Sequence, residues 1–233
     1  MVRIRKSLVV AVAAAVAAVT SAPRRAAAQV SGRVVITDAG GRPATDLGDA
    51  VVYLDGRAPR FRSSGHAEMS LDGRQFRPRV LVVPAGTTVR FPNLDPFNHN
   101  IFSPGENGGE GAFDLGLYGR GDAKTRRFTR PGLVTVFCNI HPRMVGFIMV
   151  RDNPWYAQPG ADGGFTIPDV PAGAYTLHVW HERAPELTQQ ITVPDGGLTL
   201  DQPLVLDASH YVYQQHKNKY GQEYGSGATR ERY

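Results

Sequence analysis

Leu133-Val134-Thr135-Val136-Phe137-Cys138-Asn139-Ile140-His141-Pro142-Arg143-Met144-Val145-Gly146-Phe147-Ile148-Met149-Val150 reads as two apolar runs around a short polar segment. Each run is brief and rich in β-branched and aromatic residues, which is the composition of a buried strand rather than of an amphipathic helix. The segment between them places a thiolate, an imidazole and a thioether within the seven residues from Cys138 to Met144. Taken singly, a cysteine at a strand end is a small hydrophobe and a methionine is core filler. The C-x2-H-x2-M spacing on a loop between two strands argues for a joint role instead.

A second imidazole, His99, lies 39 residues upstream in Pro96-Phe97-Asn98-His99-Asn100, after a strand ending at Phe91. Two imidazoles and a thiolate in a trigonal plane, with a weak axial thioether, make a type 1 copper site. The candidate ligands of one copper ion are therefore His99, Cys138, His141 and Met144. Pro142 has no N–H and a fixed φ, and it stiffens the loop that carries three of them.

Outward from this loop the chain keeps the same character. Val34-Val35-Ile36, Val51 to Leu54, Val80 to Val83, Thr88 to Phe91, Tyr175 to Trp180 and Gln190 to Val193 read as strands. Turn signals such as Pro84-Ala85-Gly86, Pro131-Gly132 and Pro171-Ala172-Gly173 punctuate them. No window carries helical periodicity over more than about two turns, so the expected class is all-β, built as sandwiches. A seam follows Val150, where Arg151-Asp152-Asn153-Pro154 and the glycine-rich run to Gly164 interrupt the pattern. The expected divisions are a copper domain over 66–151, β segments over 30–56 and 155–207, and a polar, tyrosine-rich tail over 208–233, disordered or lying on the surface.

The 233 residues hold 26 Lys+Arg against 21 Asp+Glu, a net charge of +5. Arg3, Arg5, Lys6, Arg24 and Arg25 account for the whole excess, so the remainder is neutral and offers no electrostatic basis for nucleic-acid binding. Basic residues, the apolar run Leu8 to Val19 and Ala26-Ala27-Ala28 have the layout of a secretory signal peptide over 1–28, cut after Ala28. Twelve apolar residues fall short of the roughly 20 that cross a bilayer core, which leaves no membrane span after cleavage. The expected location is periplasmic or secreted. A single cysteine excludes an internal disulfide framework, a zinc ribbon and c-type haem attachment. Locally, Arg120, Lys124, Arg126, Arg127 and Arg130 stand against Asp122 alone, either a docking patch for an acidic redox partner or a solvated hairpin. His178 and His181 are three apart on one strand and point to opposite faces, so they do not share a metal.

Residues 76 to 150, through Phe76-Arg77-Pro78, Gly86 to Asn93, His99-Asn100 and Cys138 to Met144, resemble a cupredoxin of the plastocyanin and amicyanin type. Phe113-Asp114-Leu115-Gly116-Leu117-Tyr118 followed by Cys-Asn-Ile-His-Pro is similar to bacterial proteins labelled methylamine utilization proteins. The resemblance implies a Greek-key sandwich, His141 as the ligand nearer solvent and the electron port, and Asn100 as a residue that hydrogen-bonds the ligand loop. Gly163 to Leu177 resembles the carboxypeptidase regulatory-like module, a transthyretin-like sandwich grouped with carbohydrate-binding-like folds. Its usual first strands look like Gly32 to Ile36 and Ala50 to Leu54, so residues 30–56 and 155–207 are expected to pair into one discontinuous sandwich; a contiguous second domain with a separate N-terminal hairpin is the alternative.

The expected function is a one-electron carrier, not an enzyme, because four filled ligand positions leave none open for substrate. Its partner would be a redox protein, a cytochrome or a dehydrogenase. Copper delivery, or sugar binding by the flanking sandwich, are the alternatives.

Overall fold

The computed structural model describes residues 28–56, 61–105 and 110–224. The signal peptide expected over 1–28 lies, Ala28 apart, outside the described residues, as does the end of the tail from 225 onward. Among the described residues all regular structure is β-strand except one 3-10 turn, Leu47–Asp49, and no helix is long and apolar enough to cross a membrane. The all-β expectation therefore agrees with the structure.

Two sheets face each other in the unit that carries Cys138. The larger runs Phe113–Tyr118, His99–Ser103, Gly132–Phe137, Val145–Arg151 and Val80–Pro84, antiparallel except for the last, parallel pair. The smaller runs Ala123–Arg127, Thr88–Pro92 and His66–Glu68. Alternation places Val89 and Phe91 of the smaller sheet against Ile101, Val134, Val136 and Ile148 of the larger. At the Pro84-Ala85-Gly86 turn, Gly86 has φ +98, and a Cβ there would sit 2.3 Å from the Ser63 carbonyl oxygen, so the turn requires glycine.

The flanking segments form a second core. Val30–Asp38 pairs antiparallel with Gly164–Ile167 and parallel with Leu204–Asp207. Val51–Asp55 pairs with Tyr156–Ala157 and Gly173–His181, which in turn pairs with Ala184–Val193. Val34, Ile36 and Leu54 are buried with Trp155, Ile167 and Leu177 in one cluster. The first unit is thus spliced into the second, and the chain leaves and re-enters at one place: Leu54 N–H donates to Trp155 C=O at 2.9 Å, and Asn153 Nδ2 donates to Leu54 C=O at 3.0 Å.

Val145–Arg151 is apolar as far as Val150 because both its faces are covered. Ile148 and Val150 face the first core, while Met149 joins Val51 and Val80 in a third cluster against the flanking sandwich, with Phe147 on Trp180. Arg79 donates to both carboxylate oxygens of Glu182 across this junction, at 2.8 and 2.7 Å. On the Gly173–His181 strand, His178 stacks on Tyr53 and His181 is buried beside Asp46, on opposite faces as the spacing requires.

Candidate metal centre

His99 begins the His99–Ser103 strand, and Cys138 directly follows the Gly132–Phe137 strand. The register that opposes Phe102 and Phe137 sets these neighbouring strands so that both residues reach one end of the sheet. His141 sits on the turn back into Val145–Arg151. That turn closes on itself: Cys138 N–H donates to Met144 C=O at 3.1 Å, and Met144 N–H donates to His141 C=O at 3.0 Å. Pro142 is buried within it.

Three donor atoms converge. His99 Nδ1 and His141 Nδ1 are 3.1 Å apart, and Cys138 Sγ lies 3.6 Å from the first and 3.4 Å from the second. With donor–metal distances of about 2.0 Å for nitrogen and 2.3 Å for sulfur, a metal centred in a trigonal plane of two nitrogens and one sulfur separates its ligands by roughly 3.5–3.7 Å. The triangle here is within a few tenths of an ångström of that size. Both imidazoles and the thiol are buried, Cys138 and His99 fully and His141 at 5 % exposure. Met144 is buried as well and packs into the apolar cluster that holds Cys138.

Asp95, which sequence reasoning passed over, orients His99. Its Oδ2 lies 2.7 Å from His99 Nε2, and the N–H groups of Gly73 and Arg74 donate to its two oxygens at 2.8 and 2.9 Å. Burial pushes the Asp95 carboxyl up, but the Arg74 N–H, His99 and the Gly73 N–H outweigh it and hold the pKa below the usual carboxylate range. Burial lowers the His99 pKa despite the carboxylate, which favours the neutral ring. A neutral ring that donates from Nε2 to Asp95 keeps its Nδ1 lone pair free for a metal. Asn93 shapes the same loop, donating to the carbonyls of Phe97 and Tyr118 at 2.9 and 3.2 Å and accepting from Asp95 N–H at 3.0 Å. The acidic residue four positions before the histidine was the only sequence signal for this arrangement.

Asn100 does not make the bond to the ligand loop that the resemblance implied. Its Nδ2 donates to Asp114 Oδ1 at 2.6 Å, and its Oδ1 is buried without a partner. Asp114 Oδ2 accepts from Lys219 Nζ at 2.6 Å, and Lys219 N–H donates to Asn139 Oδ1 at 2.8 Å. Asn100 therefore reaches the loop only through Asp114 and a lysine of the tail.

That tail lies on the loop over residues 211–224. Tyr213 Oη donates to Pro142 C=O at 3.3 Å, Tyr224 Oη donates to Cys138 C=O at 3.2 Å, and His216 Nε2 lies 3.3 Å from His141 C=O. The His216 ring packs 4.5 Å from that of Phe137. Nothing in the polar sequence marked Tyr213, His216, Lys219 or Tyr224. Of the basic residues read as a docking patch, Lys124 and Arg126 lie over the rings of Tyr118 and Phe113, whereas Arg120 and Arg127 are exposed. Arg126 also faces Glu110 at 3.8 Å.

No protein-family model matches the chain, and no curated protein matches it. Among solved structures it is similar to a copper-containing nitrite reductase from Thermus scotoductus SA-01, 34% identical over 36% of this chain with a TM-score of 0.35. The match spans 22% of the reductase. A purple cupredoxin from Nitrosopumilus maritimus is 29% identical over 36% of this chain and 99% of its own, with a TM-score of 0.33. Amicyanin from Paracoccus versutus is 24% identical over 37% of this chain and 81% of its own, with a TM-score of 0.34.

Proposed function

We propose that the 66–151 unit holds one copper ion of the type 1 kind and carries single electrons between redox proteins, after export to the periplasm or the cell exterior. The observation that carries this reading is the buried convergence of two imidazole Nδ1 atoms and one thiol sulfur at ligand spacing. Structural zinc sites take four cysteine or histidine donors. Among the described residues the converging group holds three, and a methionine follows on the same loop. Such a set suits copper, with Cys138 as the soft thiolate and Met144 as the weak fourth donor.

A bound copper ion supplies a one-electron couple. The chain's contribution is rigidity and dryness: Asp95 fixes the tautomer of His99, the 138–144 loop is closed by its own hydrogen bonds, and burial of all three donors keeps water away. Donors held this way rearrange little when charge changes, which favours electron transfer over substrate binding.

Reconstitution of the exported protein with Cu(II) tests the reading through optical and paramagnetic spectra and voltammetry. An intense blue to purple thiolate band, lost in Cys138→Ser, and reversible one-electron cycling are expected. A colourless protein, or a band that survives Cys138→Ser, would defeat it.

A further inference from the structure

Residues 209–224 form no strand or helix, yet they make a series of contacts with one target. Every hydrogen bond described above from Tyr213, His216, Tyr224 and the Lys219 main chain ends on Pro142, His141, Cys138 or Asn139 of the 138–144 loop. Arg143 completes the series by stacking on Tyr213 at 5.1 Å. The inward residues Tyr213, His216, Lys219 and Tyr224 are half-buried, whereas Val212, Gln214, Lys217 and Tyr220 face solvent. The segment starts from a fixed point in the other unit, where buried Ala208 donates its N–H to Thr37 C=O at 2.9 Å.

We propose that residues 209–224 are a working strap of the metal centre, holding the 138–144 loop and covering the surface through which a protein partner would otherwise reach His141. Two observations support this. His141 is only 5 % exposed, and His216 of the strap lies 3.3 Å from its carbonyl while Phe97 and His99 pack on its ring. The strap is also removable in character: no residue from 209 to 224 is fully buried, and a cavity of about 200 Å³ remains beneath it, lined by Phe137, Val145, Phe147, Tyr211 and Tyr213. Segments held by peripheral hydrogen bonds and ring contacts, without buried apolar side chains, open at lower free-energy cost than the core they cover. The strap thereby decides access, admitting small electron donors more readily than proteins.

The covering role is independent of which metal binds, so its first test uses metal-free protein. Cys138 is the only cysteine, and its labelling by a thiol reagent reads the loop directly. A chain ending at Ser209, and separately the full chain carrying Tyr213→Ala, His216→Ala and Tyr224→Ala together, are each expected to label at least tenfold faster than the unaltered protein. Val212→Ala, on the exposed side, is expected to label at the unaltered rate. If the shortened chain does not fold, the triple variant decides, and labelling within twofold of the unaltered protein overturns the proposal. The second arm rests on the copper reading: electron self-exchange in the loaded protein, followed by NMR line broadening, should rise at least tenfold without the strap. An unchanged self-exchange rate overturns the covering of His141. A protein that takes up no copper defeats the metal reading and leaves the labelling result to judge the strap.

Discussion

Asp95 accepts from two backbone N–H groups and from His99 Nε2, so one carboxylate ties the 73–74 turn to the imidazole that faces Cys138. An asparagine offers one acceptor oxygen in place of two and turns an amide N–H toward one of those donors. In Asp95→Asn, copper affinity is expected to fall about 10–100-fold, the usual cost of losing a carboxylate behind a metal-bound histidine. Stability should fall by roughly 1–3 kcal/mol, the cost of a buried donor left unpaired. Chelator competition and thermal unfolding measure the two effects separately, and an affinity within twofold of the unaltered protein would show that His99 is held without Asp95. Asn100 teaches the converse at the same scale. The resemblance implied a bond from it to the 138–144 loop, but its side chain turns to Asp114, and Lys219 of the tail bonds Asn139 of that loop.

At the scale of elements, the Ala123–Arg127 strand shows why a charge run is an ambiguous signal. Period-two alternation sends Lys124 and Arg126 over Tyr118 and Phe113, where their charged ends lie on the aromatic faces. What secures the end of this strand is Glu110, whose carboxylate accepts from the N–H groups of Thr129 and Arg130 and from Thr129 Oγ1, with Arg126 nearby. Burial raises the Glu110 pKa, but these donors outweigh it and bring it below the usual 4.5. A carboxyl whose folded pKa is depressed stabilises the fold above its ordinary pKa and loses that contribution as the pH falls through the folded value. Glu110→Gln should cost about 1–3 kcal/mol at neutral pH and flatten the decline of stability below about pH 4.5. Denaturant titrations across that range check it; parallel curves for the two proteins would remove Glu110 from the account.

At the scale of the molecule, the first unit is inserted at a point where the host sandwich has its chain ends side by side, Leu54 bonded to Trp155 and Asn153. Insertions with adjacent ends leave the host's own pairing intact. A chain in which residues 57–153 are replaced by a short glycine-rich linker is therefore expected to fold as a β-sandwich with Trp155 buried, judged by circular dichroism and tryptophan emission. A fragment beginning at Trp155 should not, since it lacks the Val30–Asp38 and Val51–Asp55 strands that complete both its sheets. Folding of that fragment alone would show that the N-terminal strands are dispensable.

The chain's own residues determined the class and pointed to the candidate donors. Period-two alternation, turn glycines and prolines, and the C-x2-H-x2-M spacing are local properties, and local chemistry decides them: a strand's faces alternate, and a short stiff loop keeps Cys138, His141 and Met144 together wherever it lies. The adjacency of His99 to that loop was inferred from chemistry, and the strand register that produces it appears only in the folded sheet. Asp95, the Asn100–Asp114–Lys219 chain and the strap were beyond the sequence for one reason. Each joins residues far apart in the chain through hydrogen bonds between common polar groups, which carry no periodicity and acquire partners only when packing brings the two segments together. The Tyr213 to Tyr224 segment reads as a polar tail, and it comes to lie on the 138–144 loop because the host sandwich holds Ala208 where the following residues can reach that loop.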